Sequence, residues 1–533
     1  MSHFSDEIIE NSNSRTRTTI LVDFLRSNRE NLILLASAII ITLASCAYYL
    51  LTMLSISQPG LTLDDSWIHI QFAHTIFEGT PWEYSPGYPS TGSTSPLWSV
   101  ILSPIFFFTS DQFGIVWATY AISTAFFIGC TFLAGRIVTN YLESISFGIV
   151  TMLAFVFIPR NNWLMLSGME TPLFVFILLL SIVILDHEET KYDLLLGVLA
   201  GLAYLSRPEG IIVVFCIPLR FLMLGYKRKI DKTRVGFFLL SGVFAILIVS
   251  PWILHCLATT GYPLPDTFYA KVHAPTAFEI AAWDSWWGAF VIQMPYIPVG
   301  VFLGIVLIAK GKPFAWILPV VLTVLYRLST PYASLINNAR YLVPVFDLFL
   351  VVAVAAGAMV LKVIFLGILE FRNGVSLNMI GALLLTILII TPMVPHYVWQ
   401  ATNYGKAAGN INDMQVNIGY WLDENTPEDA VFATHDAGAL RFFSHRTMID
   451  LAGLVSPDMI HGDMTDQEKM QYLYDHGCNY FAFFDELFGY WTRFLPYNSY
   501  EKLYTVHLED NVVCGRDTMS VYIIYWEQTS FAH

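Results

Sequence analysis

Long apolar runs with few or no charged side chains alternate with short polar segments over the first three-quarters of this chain. The first run, residues 32–56, is long enough to cross a bilayer as one helix. This pattern predicts a polytopic α-helical membrane protein with about eleven transmembrane helices. The other runs are 114–135, 145–159, 171–185, 194–206, 211–219, 235–258, 286–309, 313–326, 341–361 and 375–393.

Basic residues are expected to mark the cytoplasmic side of the membrane. The densest basic cluster lies at 227–234, and others precede the first run and fall near 310–312 and 362–372. All of these basic clusters fall on the cytoplasmic side if residues 95–108, a short apolar stretch with two prolines, do not fully cross the membrane. We therefore expect a multi-pass protein of the plasma (inner) membrane, with its N-terminus inside and its C-terminal segment outside.

The pattern changes at about residue 395, where the apolar runs shorten and turn residues appear. Four short segments have the β-branched and aromatic character of strands, and two longer ones have helical spacing. The strands are expected at 430–434, 447–451, 480–484 and 520–525, and the helices at 410–424 and 465–476. We expect a small extracytoplasmic α/β domain over 395–533, a transmembrane module over 31–394 with its first outer loop at 57–96, and a cytoplasmic segment over 1–30.

Composition agrees with a membrane protein, because 55% of the residues are hydrophobic and only 13% are charged. The net charge of −14 comes mostly from residues 395–533, which hold seven Lys and Arg against nineteen Asp and Glu, a balance of −12. Such acidity argues against a nucleic-acid partner. Cys478 and Cys514 could pair as a disulfide if this segment faces an oxidising compartment.

Two adjacent aspartates, Asp64 and Asp65, follow the first apolar run. Carboxylates at a membrane boundary are costly, so they point to chemistry: a general base that deprotonates an acceptor hydroxyl, beside a second carboxylate. The second group could orient the acceptor, help to bind a divalent cation, or raise the pKa of its neighbour. The structural alternative is that one aspartate caps a helix that begins at Trp67. We expect one aspartate to cap the helix and the other to take part in the reaction.

The residues around this pair form an ordered series of motifs. After Asp64-Asp65 come an amphipathic helix, Glu78-Gly79, Tyr84-Ser-Pro-Gly87 and Thr94-Ser-Pro-Leu-Trp98. Together they resemble the first outer loop of GT-C glycosyltransferases, above all the branch of the mycobacterial terminal arabinofuranosyltransferase. Later segments that also resemble this branch are Gly168-Met-Glu170-Thr, Arg207-Pro-Glu-Gly210, Pro263-Leu-Pro-Asp-Thr-Phe-Tyr-Ala-Lys271, Asn338-Ala-Arg340-Tyr341, Asp436-Ala-Gly438 and Asp450-Leu-Ala-Gly453.

The resemblance implies a polyprenyl-phosphate sugar as donor and a hydroxyl of an envelope glycan or glycolipid as acceptor. The reaction is expected to be inverting, with Asp64 and Asp65 as the catalytic pair. A divalent cation (Mg, Mn or Ca) at this pair is left open. The remaining expected roles are donor-phosphate binding by Arg340, Lys271 and Arg207, and substrate binding by His69, Glu170, Tyr269 and Tyr341.

Each candidate also has a structural alternative. Arg340 could pair with Asp347, about two helical turns further on, and Arg207 could pair with Glu209. For Glu170, a pair with Arg160 is the favoured interpretation. His74 is expected at the surface and His435 in a loop pair with Asp436.

Other functions stay open at this point. A protein O-glycosyltransferase of the same fold would differ only in its acceptor. A flippase or transporter of lipid-linked sugars would place charges near the bilayer midplane. Here the charges gather at the ends of the apolar runs, which weighs against transport. An anchored binding module would not need eleven spans.

Overall fold

The computed structural model describes residues 28–272, 275–331, 335–366 and 377–532. Most of the expected cytoplasmic segment 1–30 lies outside these residues, as does part of the basic loop at 362–372. The apolar part of the chain is helical almost throughout. Its helices are α1 (Arg29–Leu54), α2 (Asp64–Phe77), α3 (Pro96–Leu102), α4 (Gln112–Leu142), α5 (Ile145–Phe157), α6 (Asn161–Met165), α7 (Thr171–Asp186), α8 (Lys191–Ser206), α9 (Ile211–Tyr226), α10 (Lys232–Thr260), α11 (Asp266–Lys271), α12 (Ala277–Gln293), α13 (Tyr296–Leu303), α14 (Ile305–Ala309), α15 (Pro313–Ser329), α16 (Val343–Leu366) and α17 (Leu377–Ile390).

Five of the described helices are long and apolar enough to cross a membrane by themselves, or up to seven if each of two bent pairs counts as one span. Four more apolar helical segments of the described residues, Pro96–Phe107, α5, α7 and α15, are shorter than a straight span needs. The chain is thus a multi-pass helical protein, as expected. Helix length alone supports five to seven crossings, fewer than the eleven expected from the sequence.

The expected span at 286–309 is not one straight helix. The chain bends by 102° between Ala277–Gln293 and Tyr296–Ala309. Pro295 lies at the bend, where it has no amide proton with which to continue the hydrogen-bond ladder. The stretch 95–108 forms α3 and a short 3₁₀ helix, Ser103–Phe107. Together they are too short for a full crossing, which agrees with the expectation that this stretch does not fully cross.

A five-stranded sheet lies in the C-terminal part, and we call residues 417–532 the sheet module. Its strand order is β4-β3-β5-β7-β6, with β3 parallel to β4 and β5, and β7 antiparallel to β5 and β6. The strands, including a hairpin in the first loop, are β1 (Glu83–Ser85), β2 (Tyr88–Pro89), β3 (Val431–Thr434), β4 (Thr447–Asp450), β5 (Cys478–Phe484), β6 (Tyr500–His507) and β7 (Thr518–Ile524). The helices of this part of the chain are α18 (Val394–Ile411), α19 (Asn417–Asn425), α20 (Ala439–Ser444), α21 (Pro457–His461), α22 (Asp466–Asp475) and α23 (Asp485–Trp491).

The four strands expected in this region are present, as is the helix expected at 465–476, which starts with a capping box from Thr465. Strand β6 was not predicted, because its exposed Glu, Lys and His side chains break the apolar pattern. The helix expected at 410–424 begins much earlier, at Val394. Cys478 and Cys514 are free thiols, so the structure contains no disulfide between them.

Helix α18 packs along α1, across the boundary that the sequence placed at 394/395. The Tyr49 hydroxyl donates to the Tyr397 carbonyl at 3.2 Å, and Ser57 Oγ donates to the Gly405 carbonyl at 2.9 Å. In the first loop, the ring of Trp67 on α2 meets Phe443 on α20 of the sheet module, with centroids 4.6 Å apart. The first loop is therefore held between the apolar helices and the sheet module.

Candidate functional site

A cavity of about 230 Å³ lies where α2, the loop before α7, the α8–α9 junction, α11 and the segment before α16 meet. We call it the central cavity. It gathers most of the residues singled out in the sequence, although they come from five separate segments. Among its lining residues are Asp65, His69, Glu170, Arg207, Glu209, Thr267, Lys271, Arg340 and Tyr341. Neither Asp64 nor Tyr269 lines it.

Asp65 faces the central cavity from the first turn of α2, with 28% of its side chain exposed. Its Oδ2 accepts a hydrogen bond from Arg340 Nη2 at 2.5 Å, and Lys271 Nζ lies 4.0 Å from the same oxygen. Burial by itself raises the pKa of Asp65, but Arg340 and Lys271 together lower it to about 2. The carboxylate is thus ionised at neutral pH and held by two cations.

Arg340 is placed by an unusual backbone. Asn337, Asn338 and Ala339 all have left-handed conformations, with φ of 50°, 63° and 57°. Asparagine tolerates this region, whereas alanine there is strained. A pair of amide hydrogen bonds between Asn338 and Gln400 of α18, 3.1 and 2.8 Å long, fixes the turn.

The guanidinium of Arg340 is used only in part. Its Nε and Nη1 are buried and have no hydrogen-bond partner in the described part of the protein. The structural alternative, a pair with Asp347, is wrong, because Arg340 reaches back to Asp65 and does not lie alongside its own helix. The ring of Tyr341 lies beneath both Arg340 and Arg207, at 5.1 and 4.9 Å from the two guanidinium carbons.

Asp64 has a different environment. Both of its carboxylate oxygens accept backbone hydrogen bonds of 2.8 Å, one from Gly438 and one from Ala439, at the start of α20. Helix α2 begins at Asp64 itself, with Leu63 as its N-cap residue and no side-chain cap. The expected cap of a helix that begins at Trp67 is therefore wrong: Asp64 caps a helix of the sheet module instead.

The contact at Asp64 is tight and carries like charge. A Cβ on Gly438 would lie 2.0 Å from the Asp64 carbonyl oxygen, so only glycine fits. Burial raises the pKa of Asp64, and the nearby Asp436 carboxylate raises it further, while the two amides act in the opposite direction. Burial likewise raises the pKa of Asp436, to about 6.

A second buried ion pair forms the wall of the central cavity. Glu170 Oε1 accepts from Arg207 Nε at 2.6 Å, and its Oε2 lies 3.2 Å from His69 Nε2. Burial alone raises the pKa of Glu170, but Arg207 and then His69 lower it below its usual range. Two polar atoms of this group, Arg207 Nη1 and His69 Nδ1, are buried without a hydrogen-bond partner among the described residues.

Two pairings expected from the sequence are therefore wrong. Arg160 does not pair with Glu170; its Nη1 donates to Gln293 Oε1 at 2.9 Å, and its guanidinium lies over Phe290. Arg207 does not pair with Glu209, whose Oε2 is buried without a hydrogen-bond partner in the described residues. In both cases a residue distant in sequence is the nearer partner in space.

The remaining candidates lie around the rim or away from the central cavity. Tyr269 packs against His461 of α21, with ring centroids 5.3 Å apart, and Asp266 lies 2.9 Å from the same imidazole. His74 is partly exposed and forms an i,i+4 pair with Glu78 at 3.4 Å. His435 stacks on Phe483, and its neighbour Asp436 accepts from Gln415 instead of from His435.

Four residues had no functional role predicted from the sequence: Glu209 and Thr267, which line the cavity, and Asn338 and Gln400, which fix the turn before Arg340. The first three lie inside quoted motifs, so their position was visible but their role was not. Thr267 Oγ1, like Glu209 Oε2, is buried without a partner among the described residues. Gln400 gave no signal at all, because it lies on a helix that the sequence placed in another domain.

The aspartate pair does not form a metal site as arranged. Within the described ranges, no group of three or more His, Cys, Asp or Glu side chains is placed to hold a metal ion. Both Asp64 oxygens are taken by amides, and Asp65 is taken by two cations. The positive charge at this carboxylate comes from protein side chains.

Comparisons with known proteins identify the fold. Residues 409–522 match a family described only as a domain of unknown function, DUF8728. No curated protein sequence matches the chain. The Archaeoglobus fulgidus oligosaccharyltransferase in its apo form is similar in structure, with a TM-score of 0.57 and 10% identity over 88% of this chain and 73% of that one. A crystal form of that protein with Zn and sulfate gives 0.56 and 11%, over 84% and 68%.

ArnT from Cupriavidus metallidurans bound to undecaprenyl phosphate gives a TM-score of 0.57 and 13% identity, over 90% of this chain and 97% of that one. These similar structures all have the GT-C fold of membrane glycosyltransferases. The expected fold class is confirmed: the chain is a GT-C-type helical membrane protein whose C-terminal part contains a sheet.

Proposed function

We propose that this protein is an integral-membrane glycosyltransferase that moves a sugar from a polyprenyl-phosphate donor to a hydroxyl of a cell-envelope glycan or glycolipid. One observation carries the proposal. In the central cavity a first-loop carboxylate, Asp65, is held by Arg340 and Lys271, while further guanidinium N–H groups have no partner among the described residues. Buried donors left unpaired are costly, so a bound anion accounts for them.

The donor phosphate is proposed to bind to Arg340, Lys271 and Arg207. The unpartnered atoms are Nε and Nη1 of Arg340 and Nη1 of Arg207, which together can contact several phosphate oxygens. The undecaprenyl phosphate named in the ArnT structure supports a lipid phosphate as the ligand of this fold.

Asp65 is proposed as the general base. Without donor it is a poor base, because the two cations hold its pKa at about 2. A phosphate that binds Arg340 and Lys271 competes with Asp65 for them, so the pKa of Asp65 rises when the donor is present. Donor binding would thus prepare the base.

The proposed transfer is an inverting displacement at the anomeric carbon of the sugar. The acceptor oxygen attacks the anomeric carbon, its proton passes to Asp65, and the bond between that carbon and the phosphate oxygen breaks. The lipid phosphate leaves with the negative charge, which Arg340 and Lys271 stabilise. The sugar is proposed to contact His69, Glu170 and Tyr341. Tyr269 is proposed to bind substrate at the rim of the cavity.

Asp64, expected to share the catalysis, is proposed to act by holding the sheet module against the first loop. We propose that Arg340 and Lys271 provide the positive charge that a metal ion could otherwise provide at this pair. Residues 31–394 are proposed as the catalytic membrane module, with the site and residues 395–533 outside the plasma membrane. We also propose that the chain is related to the arabinofuranosyltransferase-like branch of this fold.

The test uses purified full-length protein in nanodiscs and a panel of radiolabelled polyprenyl-phosphate sugars, with and without EDTA. We expect turnover or donor hydrolysis with one donor, loss of both in Asp65→Asn, and no effect of EDTA. Asp429→Asn, an exposed aspartate in the turn before β3, is the matched control and should keep full activity.

Two results would redirect the proposal. Transfer to a peptide hydroxyl, with none to glycans, would identify the enzyme as a protein O-glycosyltransferase of this fold. If intact donor moved between leaflets and the sugar–phosphate bond of every donor tested stayed unbroken, the protein would be a flippase. That result would overturn the proposal.

A further inference from the structure

A second and larger cavity, of about 570 Å³, lies on a different face of α2. Its walls are α2, the hairpin loop after it, the start of α4, and helices α19 and α20 of the sheet module. We call it the α2–α20 groove. The central cavity meets α2 at Asp65 and His69, whereas the groove meets it at Gln71, His74 and Glu78. One helix therefore separates the two.

Two buried polar side chains form the base of the groove. Gln71 Nε2 and Arg441 Nε both donate to the Tyr84 carbonyl, at 3.0 and 3.1 Å, and they are only 2% and 6% exposed. The Gln71 side-chain carbonyl and the two terminal nitrogens of Arg441 have no hydrogen-bond partner in the described part of the chain. The base thus presents an acceptor and several donors to whatever fills the groove.

The rim combines carboxylates and aromatic rings. Glu78 and Glu83 supply acceptors, whereas both oxygens of Asp111 already accept from Thr109 and Gly114. The rings of Phe106, Phe442 and Tyr420 line the sides. Carboxylates and amides hydrogen-bond to the hydroxyls of a sugar, while aromatic rings contact the C–H faces of its ring. The groove has three carboxylates against the Arg441 guanidinium, beside the imidazoles of His74 and His445, so with neutral imidazoles its charge disfavours a phosphate or a uronic acid.

We propose that the α2–α20 groove binds the acceptor: a neutral, hydroxyl-rich saccharide chain. The assignment as acceptor rests on the proposed glycosyltransferase function, whereas saccharide binding in the groove does not. Position supports it, because Gln71 follows Asp65 by six residues, about 9 Å along the helix axis. The groove and the proposed base thus lie on the same helix, separated by the contact between Asp64 and α20.

The test is binding of labelled full-length protein in nanodiscs to printed oligosaccharides: neutral mannan, galactan, arabinan and glucan fragments, oligouronates, and a panel of extended peptides. We expect at least one neutral chain to bind, with affinity reduced about tenfold or more in Arg441→Gln and Tyr420→Ala. Tyr497→Ala is the matched control, since this tyrosine is 90% exposed and does not line the groove. Melting temperature checks that each variant is folded.

Asp65→Asn separates the two proposals. We expect it to bind saccharide normally while it loses transfer, and we expect Arg441→Gln to raise the KM for acceptor while it keeps donor hydrolysis by water. Binding lost in Asp65→Asn but kept in Arg441→Gln would place the saccharide in the central cavity and overturn the groove. Binding of oligouronates or peptides alone, or of nothing on the array, would overturn it as well. Saccharide binding without any donor turnover would support the groove as a saccharide site and overturn the proposed glycosyltransferase function.

Discussion

Asp64 and Asp65 are neighbours in the chain, yet they belong to two regions with opposite electrostatics. Asp65 enters the central cavity, where Arg340 and Lys271 lower its pKa to about 2. Asp64 enters the contact with the sheet module, where burial and Asp436 raise its pKa and two amides hold it. Because α2 begins at Asp64, a single step along the helix turns the side chain by about 100°. Under the proposed function, these adjacent identical residues have different roles: Asp65 acts in the reaction and Asp64 holds the sheet module.

Arg340→Lys tests the cavity side of this comparison most strongly. Lysine keeps the positive charge but lacks the forked guanidinium. In arginine, one nitrogen of this fork binds Asp65 while Nε and Nη1 are left to bind a phosphate. We expect transfer to fall by about a hundredfold, as for loss of one donor that stabilises developing charge. Rates measured against donor concentration check this. Equal activity in Arg340→Lys and wild type would mean that the guanidinium does not touch the donor.

Gly438→Ala tests the assembly side. The added Cβ would meet the Asp64 carbonyl at 2.0 Å, so the contact must open. We expect a lower free energy of unfolding by about 1–3 kcal/mol and a loss of transfer of about tenfold or more. Gly489→Ala is the control, because a Cβ there meets nothing within 4 Å. If both variants behaved like wild type, the contact between Asp64 and α20 would not matter.

Asn338→Ala asks how far the turn before Arg340 governs the cavity. The substitution removes the amide pair with Gln400 and places a residue that disfavours φ of 63°. We expect the KM for donor to rise several-fold while kcat changes less, because Arg340 is misplaced and not removed. Asn338→Gly, which accepts the backbone conformation but not the hydrogen bonds, separates the two causes.

Asp436→Asn gives the smallest effect and acts through pH. The pKa of Asp436 is raised to about 6 in the folded protein, so the unfolded chain loses this proton first as the pH rises. Between about pH 4 and pH 6 this group therefore lowers stability with rising pH, and the cost persists above pH 6. We expect Asp436→Asn to raise the melting temperature by a few degrees at pH 7.5 and by little at pH 4.5. An equal shift at both values would contradict a role for its charge.

The sequence predicted the fold class, most of the sheet and most of the charged residues of the central cavity, but it misassigned their partners. The motifs that carry Asp65, Glu170, Arg207, Lys271 and Arg340 were visible because each one combines a charge with turn residues at the end of an apolar run. The ion pairs were missed because a sequence shows only near neighbours. Arg340 pairs with a residue 275 positions away, and Asp64 with amides 374 and 375 positions away. No local pattern contains such information.

The most direct test of the division between the two aspartates is single-turnover transfer by Asp65→Asn and Asp64→Asn, each in folded protein saturated with the active polyprenyl-phosphate sugar. We predict that Asp65→Asn binds the donor but transfers at least about a thousandfold more slowly. Asp64→Asn should keep measurable transfer and show a lower melting temperature. Full transfer by Asp65→Asn, or complete loss in Asp64→Asn with unchanged melting temperature, would contradict the account.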